Sequence, residues 1–226
     1  MVPAAGVGKR MQANCPKQYL ILDGKTILEH TVLRLLSFPR INKVILVLSP
    51  EDEYFVETSL NNHPNVQTVI GGQERVDSVL AGLQLIDFEQ YPWVLVHDAA
   101  RPCVSHNDIN ALIETCLIEN SGGLLASPVR DTMKRSFDIL DNSNQMNISN
   151  KVRKTIERST LWHALTPQMF KGEALQQAIE SAQINNINIT DESSAMEYMQ
   201  QTSLLVEGSS DNIKITRPDD FTFAEF

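Results

Sequence analysis

The chain has 226 residues, 42% of them hydrophobic and 21% charged, with a formal net charge of −9. That apolar fraction excludes disorder as the dominant state, and the longest apolar run, at residues 44–48, falls far short of the roughly 20 residues that cross a bilayer. The acidic balance argues against a general nucleic-acid binder, which needs a basic face, yet it leaves room for a local phosphate site.

In chain order, the first feature is a small-residue loop, PAAGVGKRMQANCPKQY, at residues 3–19. A helix is predicted over 27–36, where Thr26 and Glu29 form a T-x-x-E capping box and Pro39 blocks continuation. Strands are predicted at 43–49, 66–70, 93–97 and 123–128. Each is a nearly continuous apolar stretch, the pattern of parallel strands covered on both faces. Ser105 caps a helix predicted over 107–120, with Asp108 in its first turn, where the helix dipole favours an acid. Such alternation predicts an α/β fold: a Rossmann-like, doubly wound, mainly parallel sheet.

Near Val129 the rhythm breaks. Residues 129–160 are polar, with two β-like pieces around DNSNQMNISN, and read as a projecting β-hairpin arm on a single domain spanning 1–226. Helices are predicted again at 172–185 and 191–201, and short β runs at 204–207 and 212–216. Three cysteines (Cys15, Cys103, Cys116), with no CxxC pair and no metal-ligand spacing, suit a reducing compartment. No signal peptide is visible, so a soluble cytoplasmic protein is expected, with no membrane and no nucleic-acid partner.

The loop at 3–19 carries the most chemistry. Ala4, Ala5, Gly6 and Gly8 let a ligand approach the backbone, while Lys9, Arg10 and Lys17 concentrate positive charge. Backbone N–H groups and cations together cradle phosphates. A Walker A loop is excluded because Arg10 follows Gly8-Lys9, and a dinucleotide fingerprint because Met11 holds the third glycine position. Further along, GGQERVDSV opens a helix after a strand, and VLVHDAARP places Asp98 and Arg101 at the carboxyl end of a buried strand, where open α/β sheets bind ligands. VRDTMKR and WHALTPQ add polar residues outside the periodic core. NIKITRP puts Lys214 inside a short strand, an unusual choice unless it faces an anion.

Taken together, PAAGVGKRM, PKQYL, GGQERVDSV, VHDAARP, PVRDTMKR, LWHALTPQ, ITDESSA and DNIKITRP span nearly the whole chain. In this order they closely resemble the 2-C-methyl-D-erythritol 4-phosphate cytidylyltransferases of the non-mevalonate isoprenoid pathway. The glycine loop alone marks only the wider sugar-nucleotide transferases; DAARP, RDTMK and ALTPQ are more specific.

The resemblance implies transfer of a cytidylyl group from CTP to 2-C-methyl-D-erythritol 4-phosphate, giving 4-diphosphocytidyl-2-C-methyl-D-erythritol and pyrophosphate with no covalent enzyme intermediate. It implies that Arg10 and Lys17 hold the triphosphate and stabilise the transition state, and that Lys214 bridges the two substrates' phosphates. Ala4, Ala5, Gly6, Gly72 and Ser78 are then expected around the cytidine, beside Gln73. Asp98 and Ala99 border both substrates, and Arg101, Thr132, Arg158 and Thr166 face the acceptor. Mg²⁺ is implied, bound mainly through CTP phosphates and water, with no protein metal ligand assigned. Thr132 and Arg158 are implied to come from a partner's arm, hence a homodimer with arm exchange.

Each residue also has a plainer reading. Asp98 can cap a turn, Arg101 and Arg158 can be surface ion-pair members, and Lys214 can snorkel from an edge strand. His97 and His163 read as packing or hydrogen-bonding groups, not bases. Two departures from the family pattern are expected to matter: little apolar sequence precedes PAAG, which shortens the first strand, and the end at FTFAEF lacks most of a closing helix. The alternative functions are a ribitol-5-phosphate cytidylyltransferase and a catalytically silent nucleotide-binding module.

Overall fold

A computed structural model describes residues 1–6, 15–137 and 151–224. Its first strand, β1 (Val2–Pro3), pairs in parallel with β4 (Val44–Leu48), which pairs in parallel with β5 (Val66–Ile70). A second group runs in the order β6 (Trp93–Val96), β10 (Trp162–Lys171), β7 (Gly123–Pro128), β11 (Leu204–Glu207). Met1 stitches the groups together: its amino group donates to the Leu95 carbonyl at 2.7 Å, and the His97 N–H donates to the Met1 carbonyl at 3.0 Å. Among the described strands of these two groups, β10 alone runs antiparallel to its neighbours. A small β2 (Ile21–Leu22) and β3 (Lys25–Thr26) hairpin precedes α1 (Ile27–Leu36).

Alternate residues of the strands feed two apolar layers. Val44, Leu46 and Leu48 pack with Leu28 and Val32 of α1 and with Ile109 and Leu112 of α3 (His106–Ile118). On the other side, Val94 and Val96 meet Val79 and Leu83 of α2 (Arg75–Leu83), Leu175 and Ile179 of α4 (Gly172–Ile184), and Met196 of α5 (Glu192–Tyr198). The caps sit where the sequence places them. Thr26 accepts from the Glu29 N–H and Glu29 accepts from the Thr26 N–H, while Ser105 accepts from the Asp108 N–H. The second Glu29 oxygen accepts from Ser59 N–H and Oγ–H, at 2.9 and 2.7 Å. Burial pushes this carboxyl up, but the Ser59 and Thr26 hydrogen bonds outweigh it and hold it at about 2.

Three expectations are corrected. WHALTPQ does not lie outside the core: β10 occupies the middle of its sheet, with residues 165–170 buried. Pro167, which argues against a central strand, falls where the register shifts between Ala164 and Gln168. The Gln168 amide there donates to Asp191 and accepts from the Ser193 N–H. Residues 212–216 form no ladder; the segment is tied down by Ile215, whose N–H donates to the Ala100 carbonyl at 2.9 Å. β5 is not covered on both faces: none of its residues is buried and Ile70 is 57% exposed, at the edge of its sheet. Past Arg217 runs a seven-residue α6 (Pro218–Ala224). The first strand is indeed short, at two residues.

The arm begins with β8 (Met133–Ser136) and returns as β9 (Val152–Ile156), paired antiparallel and exposed along nearly their whole length. Residues 138–150 between them lie outside the described residues. Among the described residues, no helix is long and apolar enough to cross a membrane.

Candidate active site

The carboxyl ends of β1, β5 and β6 open into a cleft of about 280 Å³. β1 delivers Ala4, whose N–H donates to the Val47 carbonyl at 2.7 Å. The buried Gln18 amide then donates to the carbonyls of Ala4 (2.6 Å) and Gly6 (3.1 Å), fixing the start of the small-residue loop. Next to it Lys17, on a 3-10 turn, extends Nζ to the Ile215 carbonyl at 2.9 Å, joining this wall to the segment that carries Lys214. β5 ends at Gly71 and Gly72; a Cβ at Gly72 would stand 2.2 Å from that of Asp77, so the loop hugs the start of α2 only as glycine. Ser78 is buried against the cleft and donates its hydroxyl proton to the Glu74 carbonyl, leaving its oxygen as an acceptor.

β6 ends in the turn 97–101, and Asp98 is its hub. Its carboxylate lies 3.0 Å from Lys214 Nζ, 3.1 Å from Arg101 Nε and 3.7 Å from an Arg75 guanidinium nitrogen. Burial alone would raise this carboxyl; Lys214, Arg75 and Arg101 overcome it and hold it well below the usual carboxylate range. Arg75 also makes a two-pronged contact, at 2.6 and 3.1 Å, with Glu192, which is almost wholly buried at the start of α5. Arg101 is braced further through Nη1, which donates to the Asn212 carbonyl at 2.6 Å. Even with Arg75 set against Glu192, Lys17, Lys214 and Arg101 outnumber Asp98 and Glu74 at this cleft. The site is locally cationic in a chain of net charge −9, the condition for drawing an anion into a groove.

Of the residues singled out from sequence, Ala4, Ala5, Gly6, Lys17, Gly72, Gln73, Ser78, Asp98, Ala99 and Lys214 all line this cleft. Arg101 packs behind Asp98. Thr166 sits beneath the turn, accepting from the Asp98 N–H at 3.0 Å. Thr132 and Arg158 do not line the cleft: they stand exposed at the two roots of the arm, where the Arg158 guanidinium donates to the Arg130 carbonyl. Arg10 lies outside the described residues.

Three contributors were missed. Arg75 occupies the first position of a helix, where the dipole favours an acid, and that misplaced charge was the available signal. Glu192 has an ordinary first-turn position, and its burial leaves no trace in sequence. Gln18 sits within PKQYL without periodicity to mark it.

Among the described residues no group of three His, Cys, Asp or Glu is placed to hold a metal ion. Asp98, deep in the cleft, already has its oxygens facing three cations, so this donor set offers no protein cage for a divalent ion. A second cavity, of about 230 Å³, opens between β4 and β6 around Leu35, Val44 and Trp93. It lacks both the small-residue loop and the ion cluster, so the chemistry is placed at the first cleft.

The whole chain, residues 1–226, matches the family described as 2-C-methyl-D-erythritol 4-phosphate cytidylyltransferase. It is similar to proteins of that description from Colwellia psychrerythraea, at 58% identity over all of this chain and 92% of the relative, and from Vibrio vulnificus, at 52% over all of this chain and 92% of the relative. Among solved structures, the Francisella tularensis 2-C-methyl-D-erythritol 4-phosphate cytidylyltransferase superposes with a TM-score of 0.80 at 35% identity, covering 99% of this chain and 95% of that one. The one from Thermus thermophilus gives 0.79 at 26% identity, covering 99% and 95%.

Proposed function

The chain belongs to the 2-C-methyl-D-erythritol 4-phosphate cytidylyltransferase family and is a nucleotidyltransferase, and we propose that the cleft around Asp98 is where it performs the transfer. The reaction joins CTP to 2-C-methyl-D-erythritol 4-phosphate, giving 4-diphosphocytidyl-2-C-methyl-D-erythritol and pyrophosphate. The observation that carries this reading is the meeting of Lys17 and Lys214, from opposite ends of the sequence, on one small-residue cleft at the strand ends.

Both reactants are anions, so positioning and neutralisation of charge are the main work. A phosphate oxygen of the acceptor attacks the α-phosphorus of CTP, a new P–O bond forms, and pyrophosphate leaves with the electron pair of the broken one. A phosphate anion needs no general base to do this. Lys17 and Arg10 draw charge from the triphosphate as the transition state develops, and Lys214 spans the two phosphates. Ala4, Ala5, Gly6, Gly72 and Ser78 present backbone groups and one hydroxyl oxygen to the cytidine, with Asp98 and Ala99 on the cleft floor. Asp98, Arg101 and Lys214 form the acceptor side of one subunit, where Thr166 acts through what it holds.

Mg²⁺ enters this reading with the nucleotide, carried by triphosphate oxygens and water, and it supplies further neutralisation. Thr132 and Arg158 reach an acceptor only from a second copy, in a homodimer that exchanges arms. An exposed two-stranded ribbon, marginal by itself in water, supports such a partner. The three unbridged cysteines fit action in the cytoplasm.

Pyrophosphate release, measured with CTP, Mg²⁺ and either 2-C-methyl-D-erythritol 4-phosphate or ribitol 5-phosphate, tests the reading. Faster turnover with the methylerythritol compound is expected. Preference for ribitol 5-phosphate would overturn the acceptor, and CTP binding without turnover on either would overturn catalysis.

A further inference from the structure

His97 directly follows β6, is 1% exposed, and carries none of the roles assigned above in the cytidylyl transfer. Its two ring nitrogens have different partners. Nε2 lies 3.0 Å from the Arg101 carbonyl oxygen, and Nδ1 lies 3.0 Å from Thr166 Oγ1. A carbonyl oxygen only accepts, so the ring proton is on Nε2. Burial, against the pull of the Arg101 carbonyl and Asp98, lowers the imidazole to about 4, which makes it neutral near pH 7. With its single proton on Nε2, Nδ1 must accept, and the only proton Thr166 Oγ1 has to give goes there. The Thr166 oxygen in turn accepts from the Asp98 N–H at 3.0 Å.

The links close a ring around one turn: Asp98 N–H to Thr166, Thr166 O–H to His97, and His97 Nε2–H to the Arg101 carbonyl. Both ends of the 98–101 turn are thereby held by their backbones, independently of the side chains that Asp98 and Arg101 turn toward the cleft. We propose that His97 and Thr166 act as one positioning unit for the Asp98–Arg101 turn, and that the Thr166 hydroxyl, its proton committed to His97, donates to no substrate phosphate. Its remaining lone pair can accept from a polyol hydroxyl. A phosphate dianion, the main form of a phosphate monoester at neutral pH, offers no proton and is not recognised by this group.

This inference rests on the proposed reaction for its kinetic test but not for its spectroscopic one. In uniformly ¹⁵N-labelled protein without substrates, the His97 ring should show a protonated Nε2 and an accepting Nδ1. Thr166→Val should shift the Nδ1 resonance, and Thr166→Ser should largely restore it. A ring protonated at Nδ1, or one indifferent to Thr166→Val, would overturn the proposal even if the acceptor proved to be another polyol phosphate.

In turnover, Thr166→Val and His97→Gln should each lower kcat/KM for the acceptor by on the order of tenfold to a hundredfold through displacement of the turn. Their double variant should be no worse than either single, because both break the same link. Thr166→Ser, which keeps the hydroxyl, should recover most of the loss. Additive losses, or a raised acceptor KM for Thr166→Val beside a silent His97→Gln, would instead make Thr166 a direct phosphate contact. Melting temperatures of all variants identify any that fail to fold; the wild-type ring spectrum decides in that event.

Discussion

The cleft and the arm are built on opposite principles. Around Asp98, charged side chains converge from α2, the 97–101 turn, the start of α5 and the 212–216 segment, each braced by a buried backbone or carboxylate partner. In the arm, β8 and β9 satisfy each other's backbones but leave their side chains uncovered, Val152 and Phe137 being 60% and 57% exposed. A single chain thus preorganises the charge of the proposed substrate cleft, whereas the arm leaves apolar surface and the exposed Thr132 and Arg158 at its roots uncovered.

The strongest way to break that contrast is at the hub. Asp98→Ala leaves Lys214, Arg101 and Arg75 facing one another; with Lys214 partly solvated, the cost should be about 3 kcal/mol of stability, read from urea midpoints, with turnover lost. Next, Lys17→Ala should lower kcat about a hundredfold and move the KM for CTP less, because its charge counts most in the transition state. An effect confined to KM would place Lys17 in ground-state binding. For the arm, Val152→Asp should shift sedimentation from dimer to monomer while leaving the melting of the core in place. Mixing inactive Lys17→Ala and Arg158→Ala subunits should restore roughly a quarter of wild-type activity, as expected for statistical pairing in a two-fold dimer whose sites draw on both chains. No recovery would mean that the arm serves its own cleft or none.

The smallest effect is in acid. Glu29 and Asp98 are held below their unfolded values, so the stability they contribute is complete above about pH 4 and is lost as pH falls toward their folded values. Glu29→Gln should therefore flatten the fall in urea midpoint between about pH 4 and pH 2. Glu157, at the root of the arm, is also lowered, by the Ser159 backbone N–H foremost, yet it is fully exposed. Glu157→Gln should leave that slope where it was.

What the sequence made legible follows from which forces are local. The Thr26/Glu29 box, the Ser105 cap and the all-apolar β4 are written within a few residues, and they appear where expected. The Pro167 strand was hidden because its burial is decided by neighbours 40 and 70 residues away, and because the register shift that tolerates a proline has no local mark. Lys214 was placed in a ladder that does not exist, though its reason for being there, a facing anion, holds in the form of Asp98. Arg75 and Glu192 show the same limit: the cation at the first position of α2 hints at a partner but does not name it, and the pairing exists only after α2 and α5 have been brought together.

The bond from Lys17 to the Ile215 carbonyl, and that from Ile215 to Ala100, also give the molecule a timetable. A ribosome delivers the glycine loop and the Asp98 turn long before residues 212–216, and N-terminal parts of a chain begin to fold first. A nascent chain can therefore assemble much of its sheet while one wall of the cleft is still missing. A product interrupted before residue 212 would lack Lys214 and that wall, and with them the activity proposed for the cleft.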